Sequence, residues 1–310
     1  MSRAADALQA RGEVLKLARV LGRDPEQLAY LEPVPPDDLR ALRDAVTETL
    51  YDAHDGSLRR LAAASRLLPA GLMATIGQRA FGPLLSARLA GMLETDKAVE
   101  VAAKLGPDFL ADVAVELDPR RASELIARIP AELIGQVTAE LVARHEHVTM
   151  GRFVGHLADE AITAAVATMD DRTLLQVAFV LEDKGDVSRL LATLPRNRSG
   201  GIVAAAAQHG LWLEALDLLN HLDDRHRGEM IAAALALPEA AITAVLDTVI
   251  EHDLWDEVVL IAHHDGMIGD RLARRLAALP DRRRRAVAQR LRESQALKRL
   301  PVLDQALAGA

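Results

Sequence analysis

Leu211-Trp-Leu-Glu214 recurs as Leu254-Trp-Asp-Glu257, 43 residues further on. After a one-residue deletion the match resumes at Asp223/Asp265, Leu237-Pro238/Leu279-Pro280, Ala244-Val245/Ala286-Val287 and Glu251/Glu293. The stretch from Leu211 to Ser294 is therefore one motif of about 43 residues written twice. A period of this length marks stacked helical units, each unable to bury its apolar face alone. Leu194-Pro195 lies 43 residues before Leu237-Pro238 and suggests a third, more diverged copy. Pro195, Pro238 and Pro280 are then expected at equivalent positions of successive units.

Composition agrees with helices. Half of the 310 residues are apolar but only 3% are aromatic, so a core must be built from Ala, Leu, Val and Ile. Small and aliphatic side chains suit close helix packing, whereas sheets favour β-branched and aromatic residues. No sustained two-residue alternation occurs. Ile242, Val245, Leu246, Val249 and Ile250 instead form the i, i+3, i+4, i+7, i+8 stripe of a half-buried helix. The expected class is all-α.

Outward from the repeat, proline and aspartate punctuate the chain. Residues 2–21 read as a helix, with Ala4, Leu8, Val14, Leu15, Ala18 and Leu21 near one stripe and Gly22 at its end. A short helix follows from Pro25. The Pro-rich segment Glu32–Asp38 is expected to separate an N-terminal helical arm, 1–35, from a helical-repeat body, 36–310. Asp37 or Asp38 is placed to cap a helix reaching about Ala53, and Asp55 or Ser57 to open another ending near Leu68-Pro69. Leu105-Gly-Pro107, Leu117-Asp-Pro119 and Ile129-Pro130 are each expected to close one short helix and open the next, because Pro at the first turn lacks an N–H that would have no intrahelical partner.

The run from Lys104-Leu-Gly-Pro-Asp-Phe109 through Glu116-Leu-Asp-Pro-Arg-Arg-Ala-Ser-Glu-Leu-Ile126 to Arg128-Ile-Pro-Ala-Glu-Leu-Ile134 resembles the cytosolic N-terminal domain of MgtE-class magnesium transporters. The resemblance covers roughly Leu93 to Val142. It implies a right-handed superhelix, or solenoid, of short Pro-started helices. Unlike the transporters, the chain has no membrane helices and no recognisable β-containing nucleotide-binding module, so the resemblance implies fold far more than magnesium sensing.

Several function classes lose their usual signals. The absence of Cys removes disulfides, thiolate metal sites and Cys nucleophiles. The sequence contains no G-x-x-x-x-G-K-S/T, G-x-G-x-x-G, H-E-x-x-H or G-x-S-x-G motif. The first residues already carry charge and lack a signal-peptide core, and apolar runs are far shorter than the ~20 residues of a membrane helix. A cytoplasmic protein without membrane insertion is expected. The net charge of −8 argues against bulk nucleic-acid affinity.

Four features offer sites. His145 and His147, two apart on a helix, and the adjacent His263 and His264 diverge rather than converge, so solvated or hydrogen-bonded imidazoles are expected. The same holds for His221 and His264 at equivalent repeat positions. The acidic turns Asp170-Asp171, Glu182-Asp183 with Asp186, and Asp223-Asp224 have oxygen ligands suited to Mg²⁺ or Ca²⁺, but Asp before a helix is ordinarily a cap. Residues 271–299 hold 11 Lys/Arg against two acidic residues. Arg271, Arg274, Arg275, Arg282, Arg283, Arg284 and Arg285 form the candidate interaction patch there, although the last unit of a solenoid also needs a polar outer face. Trp212 and Trp255 begin equivalent helices, where core packing is favoured over ligand stacking. No cofactor and no catalysis are expected. The expected function is binding of a partner protein on a curved surface. Two alternatives stand beside it, a carrier or sensor of an apolar small molecule and a divalent-cation-responsive module.

Overall fold

Prolines, aspartates and glycines set the helix boundaries. The computed structural model describes residues 3–52, 55–65, 67–194, 198–256, 259, 261, 267–293 and 303. It is 79% helix, with no strand among the described residues. The first helices are α1 (Arg3–Leu21), α2 (Pro36–Asp52), α3 (Asp55–Ser65), α4 (Ala70–Ile76) and α5 (Gly82–Ala90). A 3₁₀ helix, Pro25–Leu31, follows α1, and a π-helical turn, Gly77–Phe81, joins α4 to α5. The short-helix run continues as α6 (Thr95–Ala102), α7 (Pro107–Glu116), α8 (Ser123–Arg128), α9 (Ala131–Ala143), α10 (His147–Phe153), α11 (Asp159–Val166), α12 (Asp171–Phe179) and α13 (Asp186–Ala192). Then come α14 (Arg198–His209), α15 (Trp212–Asn220), α16 (Asp224–Leu235), α17 (Glu239–His252), α18 (Met267–Ala277) and α19 (Asp281–Glu293).

Local chemistry explains most of these ends. Gly22 stops α1 in the left-handed region, φ 60°, where a side chain would be strained. Pro107 is the first residue of α7, and Pro130, Pro238 and Pro280 stand immediately before α9, α17 and α19. Pro238 and Pro280 thus hold equivalent positions, while Pro195 lies outside the described residues. Pro119 departs from the expected pattern. The Asp118 carboxylate accepts the backbone N–H of Arg120, making a turn that occupies 119–122, and α8 begins only at Ser123. Asp37 and Asp38 lie inside the first turn of α2 rather than before it, since Pro36 opens the helix.

Contacts divide the chain into an N-terminal unit, Gly12–Pro195, and a C-terminal unit, Arg196–Ala310 together with Met1–Arg11. The Pro-rich segment Glu32–Asp38 lies within the N-terminal unit. There, alternate helices pack on one another: α3 on α5, α5 on α7, α7 on α9, α9 on α11 and α11 on α13 form one row. A second row runs α4, α6, α8, and α10 packs on α12. In the C-terminal unit α14 packs on α16, and α15 on α17. Helices of two or three turns are marginal alone, so this packing holds them. Ile242, Leu246, Val249 and Ile250 are buried on α17, and Leu272, Leu276 and Leu279 are buried on and just after α18. Among the described residues no helix is long and apolar enough to cross a membrane.

Candidate functional site

Between the two helix rows of the N-terminal unit lies a partly open cavity of about 480 Å³. Its walls are Leu, Ile, Val, Ala, Met and Phe side chains from α3 to α13, among them Leu61, Leu89, Val113, Leu141, Met150 and Ile162. The few polar residues on the wall include Ser65, Ser86 and Thr138. Gly77 and Phe81, the two ends of the π-helical turn, also line it. A π turn is an uncommon insertion that often accompanies a functional site. Here Gly77 has a packing reason, because a Cβ would stand 3.2 Å from Ser86 Oγ. Small-molecule sites typically measure 300–1,000 Å³ and are mostly apolar. The cavity falls within that range.

A second pocket, of about 460 Å³, lies across α3 and α5 and shares Leu117 with the first. Its lining has a different character. Arg59 comes from α3, Arg88 from α5 and Arg121 from the turn after α7, with Asp118 as the single carboxylate. Leu58, Ala62 and Leu89, packed with Leu61, Leu85 and Met92, form the buried cluster at this layer.

Beside this pocket runs a closed ring of alternating charges. Arg43 grips Glu182 through both oxygens, at 2.6 and 2.9 Å. Glu182 lies 3.9 Å from Arg152, and Arg152 lies 3.9 Å from Asp118. Asp118 is held at both oxygens by Arg120, at 3.2 and 3.1 Å. Arg120 reaches Asp44 at 2.9 Å, and Asp44 returns to Arg43 at 3.4 Å. Glu13 and Lys16, both buried on α1, join the ring. Lys16 donates to Glu13 at 2.6 Å and stands 3.5 Å from Glu182, and Glu13 also meets Arg40 and Arg43. Burial opposes ionisation of Glu182, but Lys16 and Arg43, with Arg152, hold its carboxyl down to about 2. Burial lowers the Lys16 ammonium despite Glu182 and Glu13. This ring explains why the α1 stripe departs from expectation. Glu13 and Lys16 take buried positions because their charges are paired, Leu15 is half-buried, and Leu21 is exposed.

Of the residues singled out in the sequence, Glu182 sits in this ring, held by Arg43 rather than exposed as a cation ligand, and the others are placed elsewhere. In the basic stretch, Arg275 pairs with Asp247 at 2.8 and 2.7 Å, Arg271 stands 3.7 Å from Glu239, and Arg284 donates to Asp281 at 2.7 Å and to the Ala277 carbonyl at 3.2 Å. Arg274 and Arg285 bond back to the Asp270 and Asp281 carbonyls of their own helices, and Arg282 and Arg283 are exposed. Asp170 accepts the Thr173 N–H at 2.7 Å and Asp223 accepts the His226 N–H at 2.9 Å, which is capping geometry. Asp183 accepts the Gly185 N–H, and Asp186 pairs with Arg189. No group of three or more His, Asp or Glu suited to a metal ion occurs among the described residues. His147 hydrogen-bonds the His145 carbonyl at 3.1 Å, and burial lowers its imidazole. Trp212 and Trp255 are buried. Trp212 borders a cavity of only about 50 Å³, too small for an organic ligand. Glu257, His263, His264 and Asp265 lie outside the described residues.

The Asp170 cap makes one prediction. Asp170→Ala is expected to lower stability by about 1 kcal/mol while Asp170→Asn largely preserves it, because Asn and Asp cap about equally well. Urea titration of both variants checks it. A loss in Asp170→Asn equal to that in Asp170→Ala would mean the charge matters more than the cap.

Neither pocket carries a sequence motif, and of the ring only Glu182, in the acidic turn Glu182-Asp183, was marked. The nearest signal was Glu13 and Lys16, charged and three apart, within the apolar stripe of the first helix. Compared with family models, curated proteins and solved structures, the chain matches none of them.

Proposed function

We propose that the chain is a non-enzymatic binding protein whose N-terminal unit takes an apolar small molecule into the cavity between its helix rows. One observation carries this: about 480 Å³ walled almost wholly by aliphatic side chains and Met and Phe. An apolar occupant would take this aliphatic wall out of contact with water, and apolar cavities bind apolar molecules readily. Packing of alternate helices supports a helical-repeat superhelix as the frame. The run that resembles the magnesium-transporter domain supplies much of the wall, including Leu105, Leu110, Leu125 and Val137.

The expected outcome is a rise in melting temperature with a fatty acid, isoprenoid or sterol, since at a hundred times Kd a ligand adds about 2.7 kcal/mol. Val137→Trp, which fills the volume from α9, is expected to abolish the rise. If no compound of these classes moves the melting point, the apolar-ligand function is wrong.

A partner protein remains the second function, favoured by a specific observation. Leu67, Leu72 and Leu84 are 92%, 47% and 52% exposed around α4 and α5. Exposed large apolar side chains are available to a protein partner.

A further inference from the structure

We infer that the ligand of the apolar cavity is uncharged and carries one hydrogen-bonding group, such as the hydroxyl of a fatty or isoprenoid alcohol or of a sterol, which Ser86 binds. The inference rests on reading that cavity as a ligand site, and it names what the site selects.

The wall decides the charge. Its described residues are Ala, Gly, Val, Leu, Ile, Met and Phe, with Ser65, Ser86 and Thr138 as the polar members. An ionised group drawn inside such a wall loses its water and meets no opposite charge, which costs far more than burying a hydroxyl that finds a partner. A carboxylate or ammonium end is therefore disfavoured in the interior.

A single hydroxyl decides the polar group. Ser65 is already committed, donating to the Ala62 carbonyl at 2.7 Å. Ser86, on α5, differs from it. Its Oγ is buried and has no hydrogen-bond partner. It does not turn back to the carbonyl four residues earlier, the bond that Thr75, Thr163 and Thr243 each make at 2.9 Å in their own helices. Buried polar groups left without a partner are destabilising, and folded proteins keep few of them. The place of this one matters. Oγ stands beside the π-helical turn, since a Cβ on Gly77 would lie 3.2 Å from it, and Gly77 and Phe81 line the same cavity. Glycine at 77 thus keeps a side chain of that turn from crowding the hydroxyl. Serine has one side-chain torsion, so Oγ can be re-aimed at a ligand without moving α5. A serine hydroxyl both donates and accepts, and a ligand alcohol does the same. The exchange satisfies both groups on binding, while the rest of the ligand meets apolar wall.

The test uses the full chain and three probes of one chain length: 1-decanol, decane and decanoate, the last at pH 8, where its carboxyl is ionised. Affinities are read from the rise in melting temperature with probe concentration. Decanol is expected to bind at least tenfold more tightly than decanoate. Ser86→Ala is expected to weaken decanol roughly fivefold and to leave decane unchanged. Thr138→Val is expected to change neither. Because the hydroxyl removed has no partner in the protein, Ser86→Ala is expected to melt like wild type without a probe. Three results overturn the inference while leaving the cavity a ligand site. They are decanoate binding as tightly as decanol, Ser86→Ala treating decanol and decane alike, or a loss of decanol that follows Thr138→Val instead. If none of the three probes moves the melting point, the reading of the cavity itself fails, and the inference falls with it.

Discussion

Glu182→Ala is expected to lower the stability of the N-terminal unit by about 3–5 kcal/mol, the range for removing one partner of a buried ion pair. The size follows from what the substitution leaves behind. Arg43 and Lys16 are almost wholly buried, and both depend on the Glu182 carboxylate. Without it they keep Glu13, which three cations already share. Glu182→Gln keeps the shape but not the charge and is expected to fall between wild type and Glu182→Ala.

The same residue sets an acid limb. Its carboxyl is lowered to about 2, so between its ordinary range and that value the unfolded chain binds more protons than the folded one. The associated stability, on the order of 3 kcal/mol, is fully present above the unfolded pKa and is lost as pH falls from about 5 toward 2. The difference between wild type and Glu182→Ala is therefore expected to shrink as pH falls through that window, because protonated Glu182 no longer completes the ring. Urea midpoints measured across the window check both parts. A variant that melts like wild type at neutral pH would show that the ring is not formed.

Leu246→Asp is expected to cost more than about 5 kcal/mol and to unfold the C-terminal unit. Leu246 is 4% exposed and lies on one face of α17 with Ile242, Val249 and Ile250. Removing a buried leucine side chain alone costs about 2–5 kcal/mol. The aspartate adds a carboxylate with no partner in an apolar setting, which must protonate or open the structure. The total approaches the net stability of a whole domain. Loss of amide protection across α15 to α18, with loss of helical circular dichroism, is the expected reading. Unchanged melting would show that this stripe is not core.

These two sites differ in how far they could be read from residues alone. The Leu246 stripe is legible because a helix places positions three and four apart on one face, and that rule needs only neighbours in the chain. The ends of α1, α7, α9, α17 and α19 are legible for the same reason. Gly22, Pro107, Pro130, Pro238 and Pro280 act on their own backbone. Pro119 shows the limit even of local rules, since the neighbouring Asp118 side chain holds a turn where a helix start was expected.

The Glu182 ring and the two pockets were not legible. Arg43 and Glu182 are 139 residues apart, and nothing in either neighbourhood marks them as partners. Glu182 in a turn looks like a solvated or capping carboxylate until α2 and α10 are packed against it. Arg59, Arg88 and Arg121 lie on separate elements and share no spacing rule. A cavity is least legible of all, because it is volume that packed helices leave unfilled, and aliphatic residues that line it have the same sequence pattern as those that close a core. Helix class, helix ends and buried stripes are short-range consequences of backbone geometry and side-chain size. Which charges meet, and where space remains between rows of helices, depends on long-range packing.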